Sequence, residues 1–244
     1  MKKNSLVKGE KRTTKFGRDY TIGSYFKDSN SYECIFPDLT KHCLIKEIKS
    51  GQILHPKDKT VYGVGFLGFG DFNGKDDTDC YRRWISMIKR VHCEDPYYAK
   101  YKACVSICEE WYNFQNFAEW FYSVGGDGMG YDVDKDLHYI GKPTTAYKIY
   151  SPNTCHLLPS GINKRVSKFS YNHKHTVEQG KFRVKITLGG DNYELGRFTS
   201  KTNADIIKIR TFISALQQSL DKVCVNYRIN LEQIIKNYKD SCEN

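Results

Sequence analysis

The stretch Lys181-Phe182-Arg183-Val184-Lys185-Ile186-Thr187-Leu188 alternates polar and apolar side chains residue by residue. Because successive side chains of a strand point to opposite faces, this pattern predicts a strand with one basic face and one apolar face. Gly189-Gly190-Asp191-Asn192 predicts a turn, and Tyr193–Phe198 predicts the returning strand. The hairpin therefore has an apolar face that needs a covering layer.

A long helix after the hairpin is expected to supply that layer. Ser200 is a suitable N-cap, and the apolar residues that follow recur at spacings of three and four: Ile206, Ile209, Ile213, Leu216, Leu220 and Val223. Packing this stripe on the apolar face of the sheet leaves the basic face, with Lys181, Arg183 and Lys185, open.

The region before the hairpin predicts helices and then a strand–loop–strand–helix unit. Residues 79–124 predict two aromatic helices, whose rings we expect in the core. A strand is predicted over Tyr131–His138, and a second one over Tyr147–Tyr150 after the Gly141-Lys142-Pro143 loop. Ser151-Pro152 predicts the start of a short helix that runs toward Asn163, which completes a ββα unit.

The charge of the chain indicates a polyanionic partner, with nucleic acid as the first candidate. The net charge is +10 and the pI is about 9.0. Residues 1–20 carry seven basic and two acidic side chains, and residues 164–212 carry eleven basic and four acidic ones, whereas residues 21–163 are slightly acidic. Clustered Lys and Arg are typical of proteins that bind nucleic-acid phosphates.

Other features of the composition exclude several classes. There is no run of 18 apolar residues, so we expect no membrane span. The N-terminus lacks the apolar segment of a secretory signal, and nine cysteines in such a chain are expected to be cytosolic thiols or metal ligands.

The C-terminal hairpin and helix resemble the AP2-type DNA-binding domain, with the match covering about residues 168–225. The matching residues are Gly180–Ile186, Tyr193–Phe198 and Ala204; Asn172-His173-Lys174-His175 departs from the Gly-rich opening of that family. The resemblance implies a three-stranded sheet in the major groove of DNA. It implies contacts to bases and phosphates from Arg183, Lys185 and Arg197, with Lys181 and Tyr193 beside them.

The central region resembles bacteriophage HNH-type proteins of the homing-endonuclease kind. The resemblance rests on the order of four motifs: Tyr81-Arg82-Arg83-Trp84, Cys108–Phe114, Val133-Asp134-Lys135-Asp136 and Tyr150–Cys155. It implies hydrolysis of DNA phosphodiesters in the cytoplasm of a bacterial host. A protein partner is an open possibility, and no small-molecule substrate is expected.

By the same resemblance, one divalent metal ion, Mg²⁺ or Mn²⁺, would be held by Asp134 and Asn163. Catalysis would fall to His138, Asp136 and Lys135. Lys135 occupies the position of the family's catalytic His, and a Lys is a poor general base unless burial lowers its pKa. His138 is expected on the same strand face as Asp134 and Asp136, where it could replace that His.

The predicted fold class is therefore α+β, in five segments: a basic flexible arm over residues 1–18, a small β module and linker over 19–75, an HNH-like ββα-metal domain over 76–166, an AP2-like domain over 167–228 and a C-terminal tail over 229–244. Two functions stay open: a DNA endonuclease that nicks or cuts both strands, or a DNA-binding regulator or counter-defence factor built on a degenerate nuclease.

A third, weaker hypothesis is a protein-binding inhibitor that uses the acidic central region.

Structural zinc is a further possibility, since Cys104 and Cys108 have the spacing of a ligand pair, with Cys93 and Cys155 as the other ligands. Buried free thiols are the alternative for these cysteines.

Overall fold

The computed structural model describes residues 6–126, 130–140, 142, 147–170, 175–188, 190–222 and 231–243. It divides the chain into two compact units, residues 1–69 and 70–244. Helices and small sheets are both well represented, which confirms the predicted α+β class. No helix among the described residues is long and apolar enough to cross a membrane.

The first unit is a four-stranded antiparallel meander followed by a short helix. Its elements are β1 (Lys11–Thr13), β2 (Asp19–Phe26), β3 (Ser31–Ile35), β4 (Thr40–Leu44) and α1 (Ile45–Ser50). Residues 1–18 were expected to be a flexible arm, but β1 pairs with β2 and Leu6 is buried in the core of the unit. For the described residues that expectation is wrong, because the apolar Leu6 and the β1 ladder anchor the segment.

The second unit contains the remaining helices and strands. They are α2 (Thr78–His92), α3 (Ala99–Cys104), β5 (Val105–Ile107), α4 (Phe114–Ser123), β6 (Tyr131–Asp134), β7 (Lys148–Tyr150), β8 (His156–Pro159), α5 (Ser160–Ser170), β9 (Thr176–Glu178), β10 (Lys181–Leu188), β11 (Asp191–Phe198), α6 (Lys201–Lys222) and α7 (Leu231–Glu243). The strands form a parallel β5–β7 pair, an antiparallel β6–β8 pair and an antiparallel three-stranded sheet in the order β11-β10-β9.

The two predicted aromatic helices are confirmed as α2 and α4. Trp84, Phe114 and Phe117 are fully buried, as expected for core residues. The indole Nε1 of Trp84 donates a hydrogen bond of 2.7 Å to the carbonyl oxygen of Trp111, which satisfies the polar end of a buried ring.

A ββα unit is present, but it is built from other segments than predicted. β6 ends at Asp134 rather than at His138, because the Asp134 carboxylate accepts a hydrogen bond from the backbone N–H of Leu137 and the chain turns there. The strand that pairs with β6 is β8, whereas β7 pairs with β5. The helix begins at Ser160, since the chain at Ser151-Pro152 forms a turn.

The C-terminal sheet and helix agree with the predicted elements. β10 and α6 are confirmed, and β11 begins two residues earlier than expected. In the antiparallel register, Arg183 lies opposite Arg197 and Val184 opposite Gly196. A bulge follows, and Gly196 adopts a φ of +125°, which only glycine tolerates well. Val223, Asn172-His173-Lys174 and the turn residue Gly189 lie outside the described residues.

One apolar core joins the ββα unit to the C-terminal sheet. Most of its buried members come from β8, α5, β10, α6 and α7: Leu158, Ile162, Val166, Phe169, Ile186, Ile209, Phe212, Ile213, Leu216, Leu220, Ile234 and Tyr238. The predicted boundary near residue 166 therefore does not separate two independent cores.

The predicted C-terminal tail is a helix docked on α6. The hydroxyl of Tyr238 on α7 donates a hydrogen bond to the fully buried carboxylate of Asp205 on α6. The same carboxylate contacts His175 Nε2 at 2.5 Å and Lys201 Nζ at 2.8 Å. Asp205 thus ties α7 and the segment before β9 to the start of α6.

We predict that Tyr238→Phe lowers the free energy of unfolding by roughly 1.5–3 kcal/mol, because a buried carboxylate loses a hydrogen-bond donor. Urea denaturation followed by circular dichroism measures the change. Tyr97→Phe is the matched control, since Tyr97 is 79% exposed and should shift stability little. Equal effects of the two substitutions would contradict a stabilising role for the Tyr238 hydroxyl.

Candidate DNA-binding face and ββα site

The three-stranded sheet has one face packed on α6 and one face open. The helix covers the face that carries Val184 and Ile186, both buried. The alternation of β10 places Lys181, Arg183 and Lys185 on the opposite face. Arg197 on β11 lies opposite Arg183 and shares that face, so the structure brings together four of the five predicted DNA-binding residues.

The two arginines of this face are held by two glutamates. Arg183 Nε donates to Glu194 at 2.9 Å and Nη1 donates to Glu178 at 3.0 Å. Arg197 Nη2 lies 3.3 Å from Glu178 and its Nε lies 3.9 Å from Glu194. These four side chains form what we call the Arg–Glu lattice. Arg183 donates directly to the Glu194 carboxyl and lowers the pKa of Glu194. Glu194 therefore stays ionised at neutral pH.

The lattice reduces the charge of the face without removing it. The four basic residues are opposed by the two glutamates, so the face keeps a net charge of about +2. Both lysines are exposed, and no described carboxylate lies within salt-bridge distance of either one. Lys181 and Lys185 are therefore the cations of this face that are accessible to an anionic ligand.

Tyr193 does not lie beside these residues. The register places it opposite Ile186, and its neighbour Glu194 opposite Lys185. Tyr193 is therefore on the helix-covered face of the sheet, at a position that is 48% exposed. The prediction that it lies beside Arg183, Lys185 and Arg197 is wrong, because the bulge at Leu195–Gly196 shifts the alternation along β11.

In the ββα unit, the predicted metal ligand Asp134 is a buried group. Its side chain accepts the backbone N–H of Leu137 at 2.8 Å, and the residue is 2% exposed. Burial, with a further contribution from the nearby Asp136 carboxylate, raises the pKa of Asp134 to about 7. Cross-strand pairing places Asp134 opposite His156 on β8.

Asp136 and Lys135 form a buried ion cluster with Lys148. Asp136 Oδ1 lies 2.5 Å from Lys148 Nζ and 3.2 Å from Lys135 Nζ. Burial alone would lower the pKa of Lys135, but the Tyr150 hydroxyl and the Asp136 carboxylate raise it above its usual range. Lys135 therefore stays protonated and does not suit the role of general base assigned to it from the sequence.

His138 lies in a single 3₁₀ turn, Leu137–Tyr139, and not on the strand face of Asp134 and Asp136. The expectation of a shared face is wrong because β6 ends at Asp134. His138 Nε2 lies 3.0 Å from Lys142 Nζ. Burial and the Lys142 charge lower the pKa of His138. The half-buried ring is therefore neutral at pH 7 and able to accept a proton.

Asn163 on α5 contacts a residue that was not predicted. Its amide Nδ2 lies 3.2 Å from Asp132 Oδ2 on β6. The predicted partner, Asp134, lies two residues further along the strand, where its carboxylate is engaged by Leu137. Asp132 and Asp134 are two residues apart, so they lie on the same face of a strand. This alternation is the signal by which Asp132 could have been predicted from the sequence.

Asp132 and Asn163 are the residues that could hold the expected Mg²⁺ or Mn²⁺ ion. No group of three or more His, Cys, Asp or Glu side chains that could hold a metal ion occurs in the part of the chain that the structure describes. Asp132 and Asn163 supply one carboxylate and one amide oxygen, and Mg²⁺ is commonly held by one or two protein oxygens with several waters. That pair suits the ion better than Asp134 with Asn163.

The four cysteines considered for zinc differ in their surroundings. Cys104 is exposed, Cys93 is partly exposed, and Cys155 is buried. Burial raises the pKa of Cys155 to about 12 and that of Cys108 to about 11. Zinc binds the thiolate, so these raised pKa values favour protonated thiols at both positions.

In comparisons with known proteins, no family model, curated protein or solved structure matched this chain. The geometry of the sheet face and of the ββα unit is therefore the basis for a proposed function.

We predict that Asp134→Asn stabilises the protein at pH 8 by roughly 1–3 kcal/mol and has little effect near pH 5. The pKa of Asp134 is about 7 in the folded protein, above the value of about 4 expected in the unfolded chain. The folded state therefore binds the extra proton between these values, and stability is lost as the pH rises through that window.

Urea denaturation at both pH values measures this difference, since an Asn at position 134 does not titrate and can still accept the N–H of Leu137. A loss of stability of equal size at pH 5 and pH 8 would contradict the assignment of a raised pKa to Asp134.

Proposed function

We propose that this chain is a DNA-binding protein that places the open face of the β9–β10–β11 sheet against duplex DNA. The observation that carries the proposal is the set of four cations on a sheet face whose other side is packed on α6. A two-stranded ribbon fits the major groove, and Lys and Arg are the side chains that contact phosphates and guanine there.

The environment of each cation gives it a separate role. Lys181 and Lys185 are exposed lysines, suited to phosphates. Arg183 and Arg197 are held by the Arg–Glu lattice, which orients their guanidinium groups in the free protein. Ion pairs at such exposed positions contribute little to stability, so DNA can exchange a glutamate for a phosphate or a guanine edge.

The DNA-binding function does not depend on an active nuclease. Lys135 and Asp136 are committed to a buried ion cluster, and Asp134 is buried with a raised pKa. These observations support the hypothesis of a regulator or counter-defence factor on a scaffold similar to HNH and AP2 proteins.

We predict that Lys181→Gln with Lys185→Gln weakens DNA binding about tenfold or more at physiological salt. The double variant should also reduce the slope of log K against log salt by about 1.8, since each lost phosphate contact removes about 0.9. Fluorescence anisotropy of a labelled duplex, measured from about 50 to about 300 mM NaCl, gives both the affinity and the salt slope.

The matched control is Lys236→Gln with Lys239→Gln, which removes the same charge from exposed positions of α7. A second variant, Glu194→Gln, should strengthen binding because it frees Arg183 from one partner. If both lysine pairs change binding equally, the sheet face is not the binding surface.

A second function, metal-dependent DNA cleavage, is favoured by the contact between Asp132 on β6 and Asn163 on α5. These two residues would hold a divalent ion, which supplies stabilisation of the leaving oxygen of a phosphodiester. His138, whose pKa is lowered by burial and by Lys142, has the protonation state of a general base at neutral pH.

For this second function we predict that Asp132→Asn and Asn163→Ala each reduce Mg²⁺-dependent nicking of plasmid DNA by about a hundredfold or more, with DNA affinity unchanged. Conversion of supercoiled to open-circular plasmid is the readout, and Lys164→Gln, at an exposed position next to Asn163, is the control. Plasmid that stays intact with both Mg²⁺ and Mn²⁺ rejects cleavage and leaves the DNA-binding proposal standing.

A further inference from the structure

A cavity of about 550 Å³ lies between α5, α6 and the second half of β10. It is separate from the Asp132–Asn163 contact, and neither resemblance to known families assigns a role to it. Its volume is in the range of pockets that hold small ligands, about 300–1,000 Å³. A small molecule, or one unit of a larger one, therefore fits it better than a whole macromolecule.

Three cationic residues from two helices line this cavity, together with the β10 segment Lys185–Leu188: Arg165 and Lys168 from α5 and Lys208 from α6. No Asp or Glu occurs among the lining residues that the structure describes. Since like charges repel, three cations around one cavity favour the binding of a multiply charged anion.

The cations are fixed to different degrees. Arg165 Nη1 donates to Ser219 Oγ on α6 at 3.3 Å, which holds the guanidinium across the two helices. Lys208 is 9% exposed, and its burial lowers the pKa of its ammonium group although Asp205 opposes the effect.

The floor of the cavity is apolar and rigid. It is formed by Phe169, Ile186, Phe212 and Leu216, all of them buried in the common core. The rings of Phe169 and Phe212 stack in parallel with their centroids 3.8 Å apart. An apolar surface under a cationic rim selects a ligand with a flat, weakly polar body and an anionic group.

The sheet topology explains why β10 contributes to a cavity here. Among the described residues, β9 pairs with β10 only at Lys181, Phe182 and Arg183. Beyond Arg183, the segment Lys185–Leu188 lines the cavity. Its Ile186 and Leu188 face the core side of the sheet, and Lys185 is on the open face.

We propose that this cavity binds a nucleoside phosphate, with the phosphate at Arg165, Lys168 and Lys208 and the base on the apolar floor. A simple monocarboxylate carries one charge, whereas a phosphate dianion can contact several cations at once. The proposal does not rest on the DNA-binding function. The ligand has two sources: a free nucleotide, or a terminal nucleotide of a DNA strand.

Isothermal titration calorimetry on the full chain tests the proposal, with four probes: adenosine 5′-monophosphate, inorganic phosphate, adenosine, and a 5′-phosphorylated trinucleotide. Either the mononucleotide or the trinucleotide should bind saturably and at least about tenfold more tightly than phosphate or adenosine alone. Tighter binding of the mononucleotide indicates a free ligand, and tighter binding of the trinucleotide indicates a strand end.

Two variants test the location of binding. Arg165→Gln with Lys168→Gln removes two exposed cations, and it should weaken binding at least about tenfold. Ala215→Trp fills the cavity without changing its charge and should abolish binding. Lys164→Gln, an exposed neighbour on α5 that does not line the cavity, is the control and should bind as the unaltered protein does.

Thermal unfolding of every variant shows whether it folds. If Ala215→Trp does not fold, the double variant Arg165→Gln with Lys168→Gln still decides the test. The proposal is overturned if no phosphate-bearing probe binds saturably at millimolar concentration. It is also overturned if binding is unaffected by the double variant. Loss of DNA binding in the Lys181 and Lys185 variants has no bearing on these outcomes, so the two proposals fail separately.

Discussion

The ββα unit depends on the ion pairs that the buried carboxylate of Asp136 makes with two lysines. This carboxylate joins Lys135, in the turn after β6, to Lys148 on β7, and its second oxygen lies 3.5 Å from Ser167 Oγ on α5. Charges taken out of water are tolerated only when each has a partner, and removing one partner of a buried pair costs about 3–5 kcal/mol. Asp136 therefore fixes the turn that ends β6, and with it the position of Asp132 relative to Asn163.

The same chemistry gives a different result on the surface. The Arg–Glu lattice on the C-terminal sheet is built from the same kinds of groups as the Asp136 cluster, but its side chains are partly exposed. Water competes with each exposed pair, so the lattice orients Arg183 and Arg197 at little energetic gain. A buried ion cluster is committed to the fold, whereas an exposed one can exchange its carboxylates for phosphates. Burial thus separates the structural cations of this chain from those that we propose to contact DNA.

The elements set by local sequence patterns could be predicted from the sequence, and those set by contacts between distant residues could not. The hairpin of β10 and β11 and the stripe of α6 were predicted because alternation and helical spacing are local signals. β8 was missed because His156–Pro159 is a short segment that runs directly into a helix, while Ser151-Pro152 resembles a helix start. The helix of the ββα unit was consequently placed too early, and Asn163 was paired with Asp134 instead of Asp132. The partners of Lys135 and Asp136 are set by tertiary packing, which no local pattern contains.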